Sequence, residues 1–283
     1  MTTPSSTVAI TGATGHIGGA VARILAGTGR PLRLLVRDPS RAPSVPGAEV
    51  AQAVYGDPAA VEALRGVETL LMVSAAESDD RVGEHRGFVA AAAEAGVRHI
   101  VYTSFVGASD ASGFLLGRDH GATEEIIRST GLAHTFLRDN FYAEVFPFFA
   151  DKEGAIKGPA GNGRVAAVSR RDVAEVAALV LRDPGQHAGA AYDLTGPEAL
   201  TLDEIATILT DLTGRPHRFV DETMAEARAS RAHYGAPDWL VDAWISTYTA
   251  IRDGELEQVA DDVPRLLGRP ATRFADAVRA SAR

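Results

Sequence analysis

The sequence predicts a doubly wound, parallel α/β sheet followed by a small, mostly helical C-terminal lobe. Three observations indicate this fold class. Short apolar runs alternate with helical patterns up to about residue 140, these runs are continuous in Val, Ile and Leu, and a glycine-rich turn joins the first run to the first helix. Strands buried on both faces of a parallel sheet have such continuous runs. Repeated strand–helix units connect by right-handed crossovers, which gives the doubly wound topology.

Six strands are predicted in the first part of the chain, residues 1–150, with helices between them. The predicted strands are Thr7–Ile10, Leu32–Val36, Glu49–Val54, Thr69–Val73, His99–Ser104 and Ala133–Leu137. Helical spacing of apolar side chains, or a proline in the first turn, predicts the helices. They cover residues 17–25, Pro58–Leu64, Arg81–Ala95 and Thr123–Ser129.

The second part, residues 151–283, is predicted to supply the remaining core elements and the C-terminal lobe. It opens on a glycine-rich turn region, Gly154–Gly163. Thr201 and Glu204 fit a capping box at the start of a helix. Further helices are predicted from about Thr223, Pro237 and Thr272. Three elements are expected to return to the core sheet: strand 165–168, helix 170–181 and strand 191–194.

Composition excludes several classes of chemistry. The 283 residues include no cysteine, which rules out disulfides, a thiolate nucleophile and thiolate metal sites. The 8 histidines lack the spacing of metal ligands, and no metal is predicted. The net charge of −9 argues against broad binding to nucleic acid or to anionic membranes.

The chain is predicted to be cytoplasmic and to have no membrane segment. No apolar run reaches the ~18 residues that a membrane-spanning helix requires. The first residues, Met1–Ser6, are polar and lack the charged start and apolar centre of a signal peptide. The sequence leaves the oligomeric state open, with a homodimer as one candidate.

A glycine-rich turn after the first strand is the strongest functional signal. Gly12 allows the tight turn from strand to helix, Gly15 lets a pyrophosphate approach the backbone, and Gly18 allows the helix to pack closely on the sheet. The N-terminus of the helix offers N–H donors and a positive dipole. The pattern predicts a Rossmann-type dinucleotide site formed by the stretch Thr11-Gly12-Ala13-Thr14-Gly15-His16-Ile17-Gly18.

Residues after the second and third strands are predicted to contact the adenosine end of the dinucleotide. Arg37 follows the second strand, and its guanidinium can pair with a 2′-phosphate, which favours NADPH as the cofactor. Arg41 can assist, whereas the neighbouring Asp38 can bind a ribose instead. Asp57 either caps the next helix or hydrogen-bonds near the adenine, and both roles are compatible.

The chain lacks the tyrosine–lysine pair that short-chain dehydrogenases use as an acid. Its two lysines, Lys152 and Lys157, both follow the sixth strand, and neither lies four positions after a tyrosine. His120 is expected to open the helix before the sixth strand, where it donates a proton, bonds the nicotinamide ribose or caps the helix. Because ligands bind outside the carboxyl ends of the strands, the other candidates are Ser74, Ala75, Thr103, Ser104, Asn140, Phe141 and Tyr142.

Several segments together resemble the NmrA-like, atypical short-chain dehydrogenase/reductase family. The nearest branch is that of the bacterial NADPH-dependent quinone oxidoreductases. The chain departs from relatives at Asp139, where they often carry Asn before the aromatic pair, and at His120, where many carry Lys. The segments that carry the likeness are residues 11–18, 35–41, 96–104, 120–124, 135–142 and 266–272.

The resemblance implies a Rossmann domain with a small C-terminal lobe. By matching position, Gly12–Gly18 and Arg37 hold the phosphates, and Ser74, Thr103 and residues 140–145 line the nicotinamide side. The leading hypothesis is an NADPH-dependent reductase of quinones or similar conjugated carbonyl compounds, for which His120, Ser104 and Tyr142 are the catalytic candidates. The alternatives are a non-catalytic NADP-binding redox sensor, and a ketoreductase, ene-reductase or epimerase of natural-product biosynthesis.

Overall fold

The computed structural model describes residues 7–281. The segment Met1–Ser6, in which the sequence predicts no signal peptide, lies outside the described residues. The strands are β1 (Thr7–Ile10), β2 (Leu32–Val36), β3 (Ala48–Gln52), β4 (Val67–Met72), β5 (His99–Phe105), β6 (Ala133–Asp139), β7 (Ala155–Gly158), β8 (Arg164–Val165), β9 (Ala191–Leu194), β10 (Leu200–Thr201) and β11 (Arg218–Asp221).

The main sheet has seven strands in the order β3-β2-β1-β4-β5-β6-β9. The neighbouring pairs from β3 to β5 are all parallel. Every residue of β5 is buried, as are Val8, Ala9 and Ile10 of β1. This burial on both faces of the sheet explains the continuous apolar runs in the sequence. The predicted doubly wound α/β fold is therefore confirmed.

Helices alternate with the first strands and dominate the C-terminal part. They are α1 (His16–Ala26), α2 (Ala60–Leu64), α3 (Arg81–Glu94), α4 (Leu115–Ser129), α5 (Arg170–Arg182), α6 (Leu202–Thr213), α7 (Met224–Arg231), α8 (Asp238–Arg252), α9 (Asp262–Leu267) and α10 (Phe274–Ser281). The capping box of Thr201 and Glu204 at α6 is confirmed, and Thr223 and Glu226 form another at α7.

Helix α4 begins eight residues earlier than the sequence predicts, at Leu115 instead of Thr123. Two glycines lie within this helix, Gly117 and Gly121, and glycines are typical of loops, so the sequence predicts a loop there. Both are buried. A Cβ at Gly117 would lie 2.7 Å from the Ser112 hydroxyl oxygen, so close packing explains the glycine there. The prediction that His120 opens this helix is therefore wrong, because His120 lies inside it.

The strand predicted at 165–168 does not join the main sheet. Only Arg164–Val165 form a strand, β8, and it pairs antiparallel with β10 in a separate two-stranded sheet. The residues that follow bond to irregular backbone instead: Ala166 N–H donates to Leu256 C=O, and Val168 N–H donates to Phe141 C=O. The glycine-rich region at 154–163 holds a strand that the sequence analysis missed, β7, which pairs parallel with β11.

The chain forms two compact units whose segments alternate along the sequence. The first unit contains the described residues up to Ser104, with His120–Arg138 and Val173–Tyr192. The second contains Phe105–Asp119, Asp139–Asp172 and the described residues from Asp193 onward. Each unit has its own hydrophobic core. Strand β9 occupies the edge of the main sheet beside β6.

Across residues 7–281, no helix combines the length and the apolar character that a membrane crossing needs. In the same range, no group of three or more His, Asp or Glu side chains is arranged to hold a metal ion.

Candidate active site

The glycine turn between β1 and α1 presents bare backbone to solvent. Gly15 is the N-cap of α1, and because it has no side chain, nothing caps the first N–H groups of the helix. Gly12 has a φ of +61°, which glycine adopts without strain. The residues of the turn exposed to solvent are Gly12, Thr14, Gly15 and His16.

The remaining residues of the turn fasten it to the sheet. Ala13, Ile17 and Gly18 are buried. A Cβ at Gly18 would lie 2.5 Å from the carbonyl oxygens of both Thr11 and Gly12, so only glycine permits this approach of helix and strand. The geometry therefore leaves the N-terminus of α1 open to an anion, as the sequence predicts for a phosphate loop.

Arg37 and Asp38 directly follow β2, and they differ in their hydrogen bonds. Both are exposed. The Asp38 carboxylate accepts hydrogen bonds from the Ser40 N–H at 3.0 Å and the Ser40 hydroxyl at 2.7 Å, which lower the pKa of Asp38. Arg37 uses its backbone carbonyl, which accepts from Gln52 at 3.0 Å. Asp38 thus caps a short turn, whereas the Arg37 guanidinium extends into solvent.

Asp57 lies in the turn before α2 and is exposed. Its carboxylate accepts a hydrogen bond from the Ala59 N–H at 2.9 Å. The N-cap of α2 is Ala59, without a side-chain cap, so Asp57 holds the turn before the helix and does not cap it. The contact of Asp57 near the adenine stays a prediction.

Ser74 and Ala75 follow the end of β4, and Thr103 lies near the end of β5. The buried Thr103 hydroxyl accepts from the Ser74 N–H at 2.9 Å. The Ala75 N–H donates to His85 Nε2, also at 2.9 Å. These bonds fix the backbone after β4, and they leave the partly exposed Ser74 hydroxyl at the strand end.

His120 is buried between two partners. Its Nδ1 lies 2.9 Å from the Tyr102 hydroxyl and its Nε2 lies 3.2 Å from the Arg81 guanidinium. A guanidinium only donates hydrogen bonds, so Nε2 accepts and Nδ1 carries the proton. Burial and the charge of Arg81 hold the pKa of His120 well below its usual range. His120 is therefore neutral, and its N–H is directed at a buried tyrosine.

Ser104 is also buried, and its hydroxyl donates to Glu124 Oε1 at 2.6 Å. Glu124 forms ion pairs with Arg128 at 2.8 Å and with Arg138 at 2.7 Å. This cluster connects β5, α4 and β6. The structure thus places Ser104 in the framework that holds these elements together.

Asp139 and Tyr142 form the main polar pair at the end of β6. The Tyr142 hydroxyl lies 2.6 Å from Asp139 Oδ2. Asp139 is buried, and burial raises its pKa to about 8 despite the hydrogen bond from Tyr142, which lowers it. Burial and the nearby Asp139 raise the pKa of Tyr142 well above its usual range.

Asn140 and Phe141 connect this pair to the core of the second unit. The Asn140 amide donates to Leu256 C=O at 3.0 Å and accepts from the Phe141 N–H at 2.8 Å. The Phe141 ring packs edge-on against Phe105 and Phe114, with ring centroids 5.1 Å and 5.2 Å away. Asn140 is thereby a backbone clamp, and Phe141 forms part of an aromatic cluster.

A separate pocket of about 380 Å³ lies within the second unit. It contains none of the predicted site residues. Its walls combine aromatic residues with the charged residues Asp151, Lys157 and Arg231. The aromatic residues include Phe148, Phe149, Tyr234, Trp244 and Tyr248.

Sequence reasoning missed His85 and Tyr55. The Tyr55 hydroxyl donates to Val73 C=O at 2.6 Å and lies 2.8 Å from the Thr11 hydroxyl oxygen, so it ties the glycine turn to the end of β4. His85 Nδ1 lies 2.8 Å from the Thr123 hydroxyl, while Nε2 accepts from Ala75. The available signal for His85 was a polar residue on an otherwise largely apolar helix face, which does not identify its partner, and Tyr55 lies in a turn outside any helix.

The buried His85 makes stability depend on pH. Burial, then the charge of Arg81, lowers the pKa of His85 to about 3. Protonation below the ordinary pKa of about 6.5 therefore favours the unfolded chain. Between pH 7 and pH 4.5 we expect the free energy of unfolding to fall by about 2–3 kcal/mol more in the wild type than in His85→Gln. Urea denaturation at the two pH values measures this difference, and equal losses in both proteins would contradict it.

The strand order and the glycine turn define a Rossmann-type α/β protein. The strand order reverses beside β1, and the turn lies at the carboxyl end of that strand. This is the position where proteins of this class bind their ligands.

Comparison with known proteins identifies the family. The profile of the NmrA-like family matches residues 4–227. Quinone oxidoreductase 2 of Escherichia coli (strain K12) is 36% identical over 279 residues, covering 96% of this chain and 97% of that protein. NAD(P)H azoreductase of Xenophilus azovorans is 33% identical over 281 residues, covering 97% and 98%. The chain belongs to the NmrA-like family.

A solved structure agrees with this assignment over the full length. The crystal structure of the NADPH-dependent quinone oxidoreductase from Escherichia coli, complexed with NADPH, has a TM-score of 0.88 at 34% sequence identity. The similarity covers 98% of this chain and 100% of that chain.

Proposed function

We propose that the protein is an NADPH-dependent oxidoreductase that transfers hydride to a quinone or a similar conjugated carbonyl compound. The observation that carries the proposal is the N-terminus of α1, which no side chain caps and at which Gly12 and Gly15 are exposed. Arg37, after the next strand, is also exposed. The names of the full-length relatives, a quinone oxidoreductase and an azoreductase, support the choice of reaction.

The residues present fit NADPH. Gly15 keeps the exposed N-terminus of α1 free of a side chain, and the helix dipole favours a pyrophosphate there. Arg37 is suited to a 2′-phosphate, because the competing carboxylate of Asp38 is already hydrogen-bonded to Ser40. Bound NADPH supplies the hydride.

The other predicted cofactor residues take supporting roles in this proposal. Thr103 and Asn140 shape the backbone after β4 and β6. For Ser74 and Phe141, a contact with the nicotinamide end stays an expectation from the resemblance, and for Ala75 an expectation from its place after a strand end. The neutral, enclosed His120 and the ion-paired cluster of Ser104 leave Tyr142 as our candidate for a proton donor.

This chemistry tolerates the missing tyrosine–lysine pair. Reduction of a quinone produces a stabilised hydroquinone anion, which demands little acid catalysis. Positioning of the two reactants supplies most of the rate effect. From the net charge of −9, we also propose that the protein has no nucleic-acid or membrane partner. The cytoplasmic location stays a prediction.

The test is oxidation of NADPH by a panel of quinones, with Gly15→Val as the diagnostic variant. Gly15 has a φ of −95°, which valine adopts, and its added Cβ would lie 3.2 Å from the Gly12 carbonyl oxygen, with the rest of the side chain over the exposed N-terminus of α1. We expect turnover by the wild type and at least a tenfold weaker Kd for NADPH in Gly15→Val, because the phosphates lose their approach to the backbone.

Gly27→Val is the matched control at the other end of α1, where an added Cβ meets nothing within 4 Å. It should retain the wild-type Kd. Tight NADPH binding by the wild type without oxidation by any quinone would refute the reductase proposal. Unchanged affinity in Gly15→Val would refute the cofactor site.

A further inference from the structure

The Asp139 carboxyl group is the most unusual polar group of the second unit. It lies at the last residue of β6 with 2% of its surface exposed. Oδ2 lies 2.6 Å from the Tyr142 hydroxyl. Within residues 7–281, Oδ1 has no hydrogen-bond partner. A buried carboxylate with half of its acceptors unused is costly, whereas a carboxylic acid in the same place is not.

The charged groups near the pair do not neutralise Asp139. The Arg170 guanidinium lies over the Tyr142 ring, 5.4 Å from its centroid. The Glu144 carboxylate accepts from the Arg170 N–H at 3.0 Å and the Ser169 hydroxyl at 3.3 Å. Both act on the pKa of Tyr142, while burial and the Tyr142 hydroxyl are the influences on Asp139. Burial is therefore the main influence on Asp139: it raises the pKa to about 8, which favours the protonated form at neutral pH.

A protonated Asp139 changes what Tyr142 can donate. The carboxylic acid donates its own hydrogen through Oδ2 to the phenol oxygen. The phenol O–H is then released from Asp139 and becomes available to another acceptor. When Asp139 is ionised, the phenol O–H is held by the carboxylate instead.

We propose that Asp139 is a positioning residue that stores a proton and relays it to Tyr142, whose hydroxyl protonates the reduced oxygen of the substrate. This inference rests on the proposed reductase function. The geometry that carries it is the buried, half-partnered carboxyl group at hydrogen-bond distance from a phenol that follows a strand end of the main sheet.

The step balances in protons and electrons. The two electrons and the hydrogen of the hydride come from NADPH, which is oxidised, and the substrate carbonyl is reduced to an oxyanion. The phenol O–H bond of Tyr142 breaks as an O–H bond forms on that oxyanion. The carboxyl O–H bond of Asp139 breaks as a new O–H bond forms on the phenol oxygen. Asp139 ends as a carboxylate that accepts from Tyr142, and water returns its proton.

The first test measures the stored proton directly in the cofactor-free protein. Infrared spectroscopy distinguishes the C=O stretch of a buried carboxylic acid from that of a carboxylate. We expect such a band at pH 6 in the wild type, its loss with a midpoint near the pKa of about 8, and its absence from Asp139→Asn. No such band in the wild type at pH 6 would overturn the proposal.

The second test follows the relay with 1,4-naphthoquinone in single-turnover oxidation of NADPH. Asp139→Asn keeps a group that donates to the phenol oxygen but has no proton to pass. We expect the wild-type rate to fall above about pH 8, and both Asp139→Asn and Tyr142→Phe to be about tenfold slower at pH 6.5 without this inflection. That loss is below the range of stronger general acids, because the hydroquinone anion is stabilised.

The outcomes separate the two proposals. No turnover of any quinone by the wild type refutes the reductase function and the transfer step with it. Turnover with the same pH profile in the wild type and Asp139→Asn refutes the relay alone. If Asp139→Asn fails to fold, the infrared titration of the wild type and the pH profile of Tyr142→Phe decide the question.

Discussion

Gly18→Ala is expected to lower the free energy of unfolding by about 3 kcal/mol. In an ordinary helix interior this change stabilises by up to ~1 kcal/mol. Here the added Cβ would lie 2.5 Å from the carbonyl oxygens of Thr11 and Gly12, where no side chain can give way. The helix must therefore move away from the end of β1. Urea denaturation measures the loss, and the displacement should also weaken NADPH binding by at least tenfold.

Gly27→Ala is the control for the same chemical change. Gly27 follows α1, has a φ of −81°, and an added Cβ meets nothing within 4 Å. We expect its effect on stability to stay within ~0.5 kcal/mol. If Gly18→Ala were equally neutral, the close approach of α1 to β1 would not constrain the turn.

The glycine turn could be predicted because its physics is local. A buried strand, the spaced glycines Gly12, Gly15 and Gly18, and an apolar helix face follow each other within twenty residues, from Thr7 to Leu25. The parallel sheet could be predicted for a similar reason, because each strand that is buried on both faces has its own continuous apolar run in the sequence. The predicted ends of the strands were less accurate. Side chains in a strand at the edge of the sheet are only partly buried, as in β3, so the apolar pattern there is weak.

The polar clusters could not be predicted, because their members are distant in the sequence. Arg81, Tyr102 and His120 meet only after α3, β5 and α4 have packed. The sequence showed a histidine near a predicted helix start and therefore suggested a proton donor. Its enclosure by a guanidinium and a phenol is a tertiary property that the sequence could not show.

Asp139 shows a different limit. The residue was visible as a departure from relatives, and its proximity to Tyr142 follows from three residues of spacing. What the sequence could not supply is the burial of this carboxyl group, which raises its pKa, and the absence of a second partner for Oδ1 within the described chain. Burial of a carboxyl group depends on every element packed around it.

Arg37→Glu is expected to weaken the affinity for NADPH by roughly 100-fold and to change the affinity for NADH little. A bidentate, charge-assisted pair contributes ~1.5–3 kcal/mol, and a carboxylate in its place also repels the 2′-phosphate. The structure leaves Arg37 suited to this role, because it is exposed and Asp38 is bonded to Ser40. Fluorescence titration with the two reduced cofactors measures both affinities.

The control must carry the same change of charge without contacting the site. Arg65→Glu meets this condition, because Arg65 is an exposed residue that pairs with Glu62 at the end of α2. If long-range charge were the cause, both variants would lose affinity for NADPH to a similar extent, and the loss would shrink at high salt. If Arg37 binds the 2′-phosphate, only Arg37→Glu changes the ratio of NADPH to NADH affinity. Equal ratios in the wild type and Arg37→Glu would exclude Arg37 as the residue that selects the cofactor, and Arg41 would be the next candidate.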